Sequence, residues 1–228
     1  VFPGAMVAPA TAAPPRRILQ FWDRRPPDEV MTLIQAWRDT HPDCEHTLLD
    51  EPTSRGFIAE RLGGRAAEAF DRCHHPAMKS DFVRLVWLHA HGGAYLDADE
   101  VCRKSIGPIL DALAHVEFIA CISTDPAPYV HNLFMAARPG ARVLGVAIED
   151  MLDRLSKPDA PQRPDIWQTT GPGAVTRAVG RVLLEACGSQ GGPHGLIALT
   201  TDLNYRAFAG TDDGLAYKKT REGNWRMA

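Results

Sequence analysis

Residues 76–99 read as one continuous unit: a helix, a two-glycine break, a short apolar strand and a pair of carboxylates. Met78, Phe82, Leu85, Val86 and His89 fall on one face of a helix running from Pro76 to His91. Gly92-Gly93 supplies its C-terminal stop. Ala94-Tyr95-Leu96 follows as a strand and runs directly into Asp97-Ala98-Asp99. A helix that returns to a strand across two residues belongs to a layered fold of alternating elements.

The rest of the chain keeps that alternation. Strands are expected at 18–22, 45–49, 117–122, 132–136 and 196–199. Helices are expected from Asp28 to the His41-Pro42 stop and at 54–62, 66–73, 141–155 and 174–186. In the first helix, Val30, Leu33, Ile34 and Trp37 hold one face. The pattern predicts an α/β fold with a mostly parallel central sheet flanked by helices. Such sheets bind ligands at the carboxyl ends of their strands.

The 228 residues suffice for one sizeable domain, expected over 16–228. The Ala- and Pro-rich stretch 1–15 carries no charge and reads as a flexible arm or a cloning remnant with Met6 as the natural start. A net charge of −3 leaves no footprint for general nucleic-acid binding, and no apolar run is long enough for a transmembrane segment. The five cysteines are scattered and never form C-x-x-C. They read as reduced thiols, and the expected location is cytoplasmic.

Asp97 and Asp99 are two residues apart, so in an extended segment both side chains share a face. Paired carboxylates repel unless a cation lies near, and oxygen ligands suit a hard ion, Mn²⁺ or Mg²⁺. Such an ion can stabilise a departing diphosphate. A polar turn with two solvated acids is the plainer reading of an isolated pair. A calcium EF-hand fails, because the positions where it needs an acid, a glycine and a glutamate hold Val101, Cys102 and Pro108. Asp81 and Arg84 are neighbours on the preceding helix, either as an exposed ion pair or as part of the same site. His74-His75 and His89-x-His91 lack the spacing to share a metal from a helix, and neither a G-x-S-x-G nor a P-loop pattern is present.

The run Ser80-Asp81-x-x-Arg84, then Gly92-Gly93-Ala94-Tyr95-Leu96-Asp97-Ala98-Asp99, resembles the S-D-x-x-R…G-G-x-Y-x-D-x-D block of family 32 sugar-nucleotide glycosyltransferases. That family includes Golgi mannosyltransferases and bacterial capsule-type transferases, and the large glucosylating toxins share the block. Ile18 to Trp22 resembles the family's opening strand, and Thr170-Gly171-Pro172-Gly173 its T-G-P-G segment. The resemblance implies a GT-A, Rossmann-like fold and transfer of a sugar, with retained configuration, from a nucleoside diphosphate sugar to an acceptor hydroxyl. The donor is expected to be UDP-linked, with GDP as the other choice. The acceptor is a glycan, a lipid-linked sugar or a small molecule. The resemblance also implies roles: Asp99 as metal ligand with Asp97 beside it, Asp81 and Arg84 on the donor sugar, and Trp22 stacked on the base. Tyr95 and Gly171 join the donor site.

The C-terminal stretch departs from the family pattern, which often carries a histidine there. Glu222 or Asn224 can supply the extra oxygen ligand, Trp225 can cover the diphosphate, and Lys218 can neutralise it. A solvated basic tail is the competing reading. A nucleotide-sugar hydrolase of the same fold or another metal-dependent phosphodiester or diphosphate hydrolase, and a silent sugar-nucleotide-binding module, are the alternatives for the whole chain.

Overall fold

The computed structural model describes residues 13–123, 128–157, 161–188, 197–201, 205–211 and 214–219. The chain opens with β1 (Arg17–Phe21), α1 (Asp28–Thr40), β2 (Glu45–Leu49), α2 (Glu51–Leu62) and α3 (Gly64–Asp71). The central unit is α4 (Pro76–His91), β3 (Gly93–Leu96) and β4 (Glu100–Cys102). Next come α5 (Gly107–Ala112), β5 (Phe118–Ser123), β6 (Tyr129–Ala137), α6 (Arg142–Ser156), α7 (Ile166–Thr169) and α8 (Pro172–Gly188). β7 (Ile197–Thr201), β8 (Ala209–Thr211) and a 3₁₀ turn at Ala216–Lys219 complete the described elements. The expected helices and strands are all present, with ends shifted by a few residues. The short β4, α5, α7 and β8 were not expected, because three to six residues are too few to show a period.

The main sheet has the order β2-β1-β3-β6-β5-β7. β1 runs parallel to β2 and β3, and β5 runs parallel to β7. β6 alone is antiparallel to both neighbours, so the mostly parallel sheet carries one reversed strand near its middle. Side-chain alternation splits the core. Leu19 and Tyr95 face a layer holding Phe82, Leu85, Leu144, Ile148 and Val179. Ile18, Ala94 and Leu96 face the other, with Trp37, Leu110 and Phe134.

Asp50 caps α2 by accepting from Thr53 N at 2.9 Å. α4 is buried at Met78 and at every residue from Ser80 to Leu88, so its polar side chains lie inside the protein together with its apolar ones. The two glycines after it do more than end a helix. Gly93 sits at φ 102°, and a Cβ there would lie 2.5 Å from Arg17 O on β1. Gly92, at φ 66°, would meet Pro139 Cδ at 2.6 Å.

Gly93→Ala is therefore expected to cost about 2–4 kcal/mol, from positive-φ strain plus a backbone clash. Gly56 lies inside α2 with open space at its Cβ, and Gly56→Ala is expected to gain about 0.5–1 kcal/mol. Urea unfolding of both variants checks the contrast; equal effects would refute the close-approach account of Gly93.

Candidate active site

Arg84 is the centre of the site, only 4% exposed. Its Nε donates to Ser80 O at 3.1 Å and its Nη2 to Ser80 Oγ at 2.7 Å. Nη1 donates to the carbonyl of Asn132. Nη2 lies 3.3 Å from Asp81 Oδ1 and 3.2 Å from Asp97 Oδ1. The guanidinium stacks on Tyr95, with Cζ 4.0 Å from the ring centre. The Tyr95 hydroxyl donates to Asp97 Oδ1 at 2.7 Å and pairs with Ser80 Oγ at 2.8 Å. The i,i+3 pair foreseen on α4 is thus not an exposed ion pair. It is a buried cation shared by two carboxylates. Burial raises the pKa of Tyr95, with Arg84 pulling it back.

Asp81 is 5% exposed and has partners from two other elements. Asn132 Nδ2 donates to Oδ1 at 2.6 Å, and Thr170 Oγ1 donates to Oδ2 at 3.1 Å. Burial pushes the Asp81 carboxyl up to about 6, against the pull of Arg84. A bulge aims Asn132 here. Ala120 pairs with Met135 and Ile122 with Val130, so a step of two residues on β5 spans five on β6. The extra residues carry Asn132 out of the ladder toward α4. Thr170 arrives as the C-cap of α7, two residues before α8 begins.

Asp97-Ala98-Asp99 is not the extended segment its alternation implied. β3 ends at Leu96, and Glu100 N donates to Asp97 O at 3.2 Å across a turn. Ala98 is buried against Val30 and Ile34 of α1, which fixes the bend. The two carboxylates still converge near one another. Asp97 faces inward to Tyr95 and Arg84; its pKa is raised by burial, opposed by Arg84 and reinforced by Asp99. Asp99 faces the C-terminal stretch, and its side chain is the less exposed of the two, 16% against 33% for Asp97. Tyr217 OH donates to Asp99 Oδ2 at 2.5 Å, and Lys218 Nζ lies 2.7 Å from the same oxygen. Ala216 N donates to Glu29 of α1 at 3.0 Å, anchoring that turn.

The other expected residues fall as follows. Trp22 lies just past β1, partly buried on Val30, Ile34 and Ala98, with its ring edge-on to Tyr217 at 4.9 Å. Gly171 is buried beneath Trp167, where a Cβ would lie 3.0 Å from Trp167 Cα. In that segment it is Thr170, not Gly171, that reaches Asp81. Glu222, Asn224 and Trp225 lie outside the described residues, as does the arm at residues 1–12. Asn132, Tyr217 and Glu100 were not assigned roles from sequence. Glu100 is 3% exposed and accepts from Thr211 Oγ1 at 2.9 Å; burial, with Asp97 adding, pushes it up to about 7.

Asp99 has the chemistry a hard cation requires: a carboxylate that already holds an ammonium. Among the described residues, no group of three His, Cys, Asp or Glu side chains is placed to hold a metal. Nor is any helix among them long and apolar enough to cross a membrane.

Comparison with known proteins agrees with this geometry. The family described as glycosyltransferase sugar-binding region containing DXD motif matches residues 27–117, the span that contains Asp81, Arg84, Asp97 and Asp99. The initiation-specific alpha-1,6-mannosyltransferase of Schizosaccharomyces pombe is 27% identical over 66% of this chain and 44% of that protein. Inositol phosphoceramide mannosyltransferase 3 of the same yeast is 31% identical over 56% of this chain and 35% of that protein. The chain thus spans less than half the length of either relative. The UDP-bound glycosyltransferase domain from the YGT toxin superposes with a TM-score of 0.55 at 11% identity, covering 86% of this chain and 80% of that domain. The PaToxG glycosyltransferase superposes at 0.54 and 15% identity, over 75% of this chain and 71% of that one. The fold is that of the GT-A glycosyltransferases, and residues 27–117 match the family model described as glycosyltransferase sugar-binding region containing DXD motif.

Proposed function

We propose that the chain transfers a sugar from a nucleoside diphosphate sugar to an acceptor hydroxyl. One observation carries this reading. At the carboxyl edge of the sheet, a turn carries Asp99 with Lys218 on it, while Asp97 and the buried Asp81 are both held by one buried arginine. That arrangement supplies fixed charge of both signs within one site, as stabilising a departing diphosphate requires.

The strand order supports one direction for the donor. Trp22 follows β1, the carboxylate turn follows β3, and Asn132 comes from the start of β6. The partly exposed ring of Trp22 suits a base. Lys218 and Asp99 lie at the diphosphate, and Asp81 lies toward the sugar. A divalent cation held at Asp99, of the Mn²⁺ or Mg²⁺ kind, would add positive charge against the leaving diphosphate. Arg84 has protein atoms on its Nε, Nη1 and Nη2 and is nearly buried, so it acts as a positioning residue that aims Asp81 and Asp97. The yeast relatives are named as mannosyltransferases, which places GDP-linked sugars beside UDP-linked ones in the first donor panel.

The test is nucleoside diphosphate release from UDP- and GDP-sugars with Mn²⁺, Mg²⁺ or EDTA. Release with one donor and a divalent ion is expected, falling about 10²-fold or more in Asp99→Asn with little change in Tm. Undiminished release in that variant would remove Asp99 from the reaction. A second expectation concerns stability. Arg84→Met leaves the buried Asp81 without its counter-charge, and Asp97 without a neighbour cation, and is expected to cost about 3–5 kcal/mol. Lys218→Met, at the partly exposed pair, is expected to cost under about 1 kcal/mol. Urea denaturation of the two variants separates these; equal losses would show that Arg84 is not the organising cation.

A further inference from the structure

Beyond Asp81 the same edge of the sheet carries three aromatic rings that no step of the donor reaction uses. Tyr129 and His131 lie at the start of β6, with ring centres 4.7 Å apart and planes tilted by 56°. Trp167 of α7 meets Tyr129 edge-on at 5.7 Å and 72°. All three are partly exposed. Each is also tied to the Asp81 centre: His131 precedes Asn132, and Trp167 lies three residues before Thr170, the two residues that hydrogen-bond Asp81. Trp167 is held from behind, since a Cβ at Gly173 would lie 2.6 Å from its Cζ3. The indole is thus locked against the start of α8.

We infer that Tyr129, His131 and Trp167 form the platform on which the acceptor binds, and that the acceptor presents a pyranose ring there. This rests on the donor direction proposed above. Adjacent strands are ~4.8 Å apart, so β6 stands about 10 Å from β1 along the edge. With the base at β1 and the diphosphate at β3, the donor sugar ends at Asp81, and the next group along the edge is the acceptor. The chemistry of the three rings narrows what that group is. A pyranose has an apolar C–H face and a rim of hydroxyls. Fixed aromatic rings bind the face, and polar groups at their border bind the rim. Tyr129 OH supplies such a group at the border of the rings. Locked rings lose little conformational freedom on binding, which favours a small, weakly held ligand.

The experiment is saturation-transfer NMR on the whole protein with UDP or GDP present. The probes are methyl α-D-mannopyranoside, methyl α-D-glucopyranoside and methyl β-D-galactopyranoside. Transfer to the ring protons of at least one glycoside is expected, weakened roughly tenfold by Tyr129→Leu and by Trp167→Leu. Because Trp167→Leu also removes packing on α8, Tyr129→Leu and His131→Ala carry the test if that variant unfolds. Nucleotide affinity, read by calorimetry on the same samples, is expected to change less than about twofold in the Tyr129 and His131 variants. Nucleotide binding by the wild type with no transfer to any glycoside would overturn the platform and leave the donor reading standing. Transfer that survives unchanged in Tyr129→Leu and His131→Ala would also overturn it. Absence of nucleotide binding by the wild type would sink the donor reading itself.

Discussion

A single buried guanidinium determines what the rest of the site can be. Arg84 lies under two carboxylates, against an aromatic ring, and on the carbonyl and hydroxyl of Ser80 one helical turn before it. Moving such charges out of water is costly, and only a nearly complete set of partners recovers the loss. The partners come from three parts of the fold: Asp81 and Ser80 from α4, Tyr95 and Asp97 from β3 and its turn, Asn132 from β6. The position of Arg84 is therefore a condition on the packing of three elements at once. Arginine suits the task better than lysine, because its planar fork reaches several acceptors while its face stacks on Tyr95.

The sheet supplies the second constraint. Gly92 and Gly93 let α4 return to β3 with the backbone touching β1, which sets the height at which Asp97 emerges. The reversed β6 then brings its N-terminal end, not its C-terminal end, to the functional edge. That is why Asn132, His131 and Tyr129 stand beside residues that follow the ends of β1 and β3. The bulge across from β5 releases Asn132 from ladder pairing so that it can face α4.

How far the sequence could be read follows from these contacts. The alternation of helix and strand was visible because each long element repeats its apolar residues with a clear period. The cluster Asp81, Arg84, Asp97 and Asp99 was visible because it lies within nineteen consecutive residues. Asn132 was hidden for the opposite reason, being 51 residues from Asp81 with no local signal of its own. Thr170, 89 residues from Asp81, stood in the T-G-P-G segment, but nothing local tied it to that carboxylate. The bulge that aims Asn132 depends on pairing with β5, which no window of β6 reveals. The carboxylate turn was read as extended because alternation alone cannot register Ala98 packing against α1. Trp22 packs in part on α1 and in part remains accessible, a division that no pattern in the sequence around it specifies.

The contact of Lys218 and Tyr217 with Asp99 has a thermodynamic consequence. Ala216, Tyr217 and Lys218 are consecutive, and they grip Glu29, Trp22 and Asp99 respectively. Anything that competes for the Asp99 carboxylate also weakens the hold of this turn on α1 and on Trp22. By reciprocity, anything that pins the turn more firmly must lower the affinity of Asp99 for its competitor by the same factor. Charge at the reacting edge and order in the last described residues are thus two readings of one equilibrium.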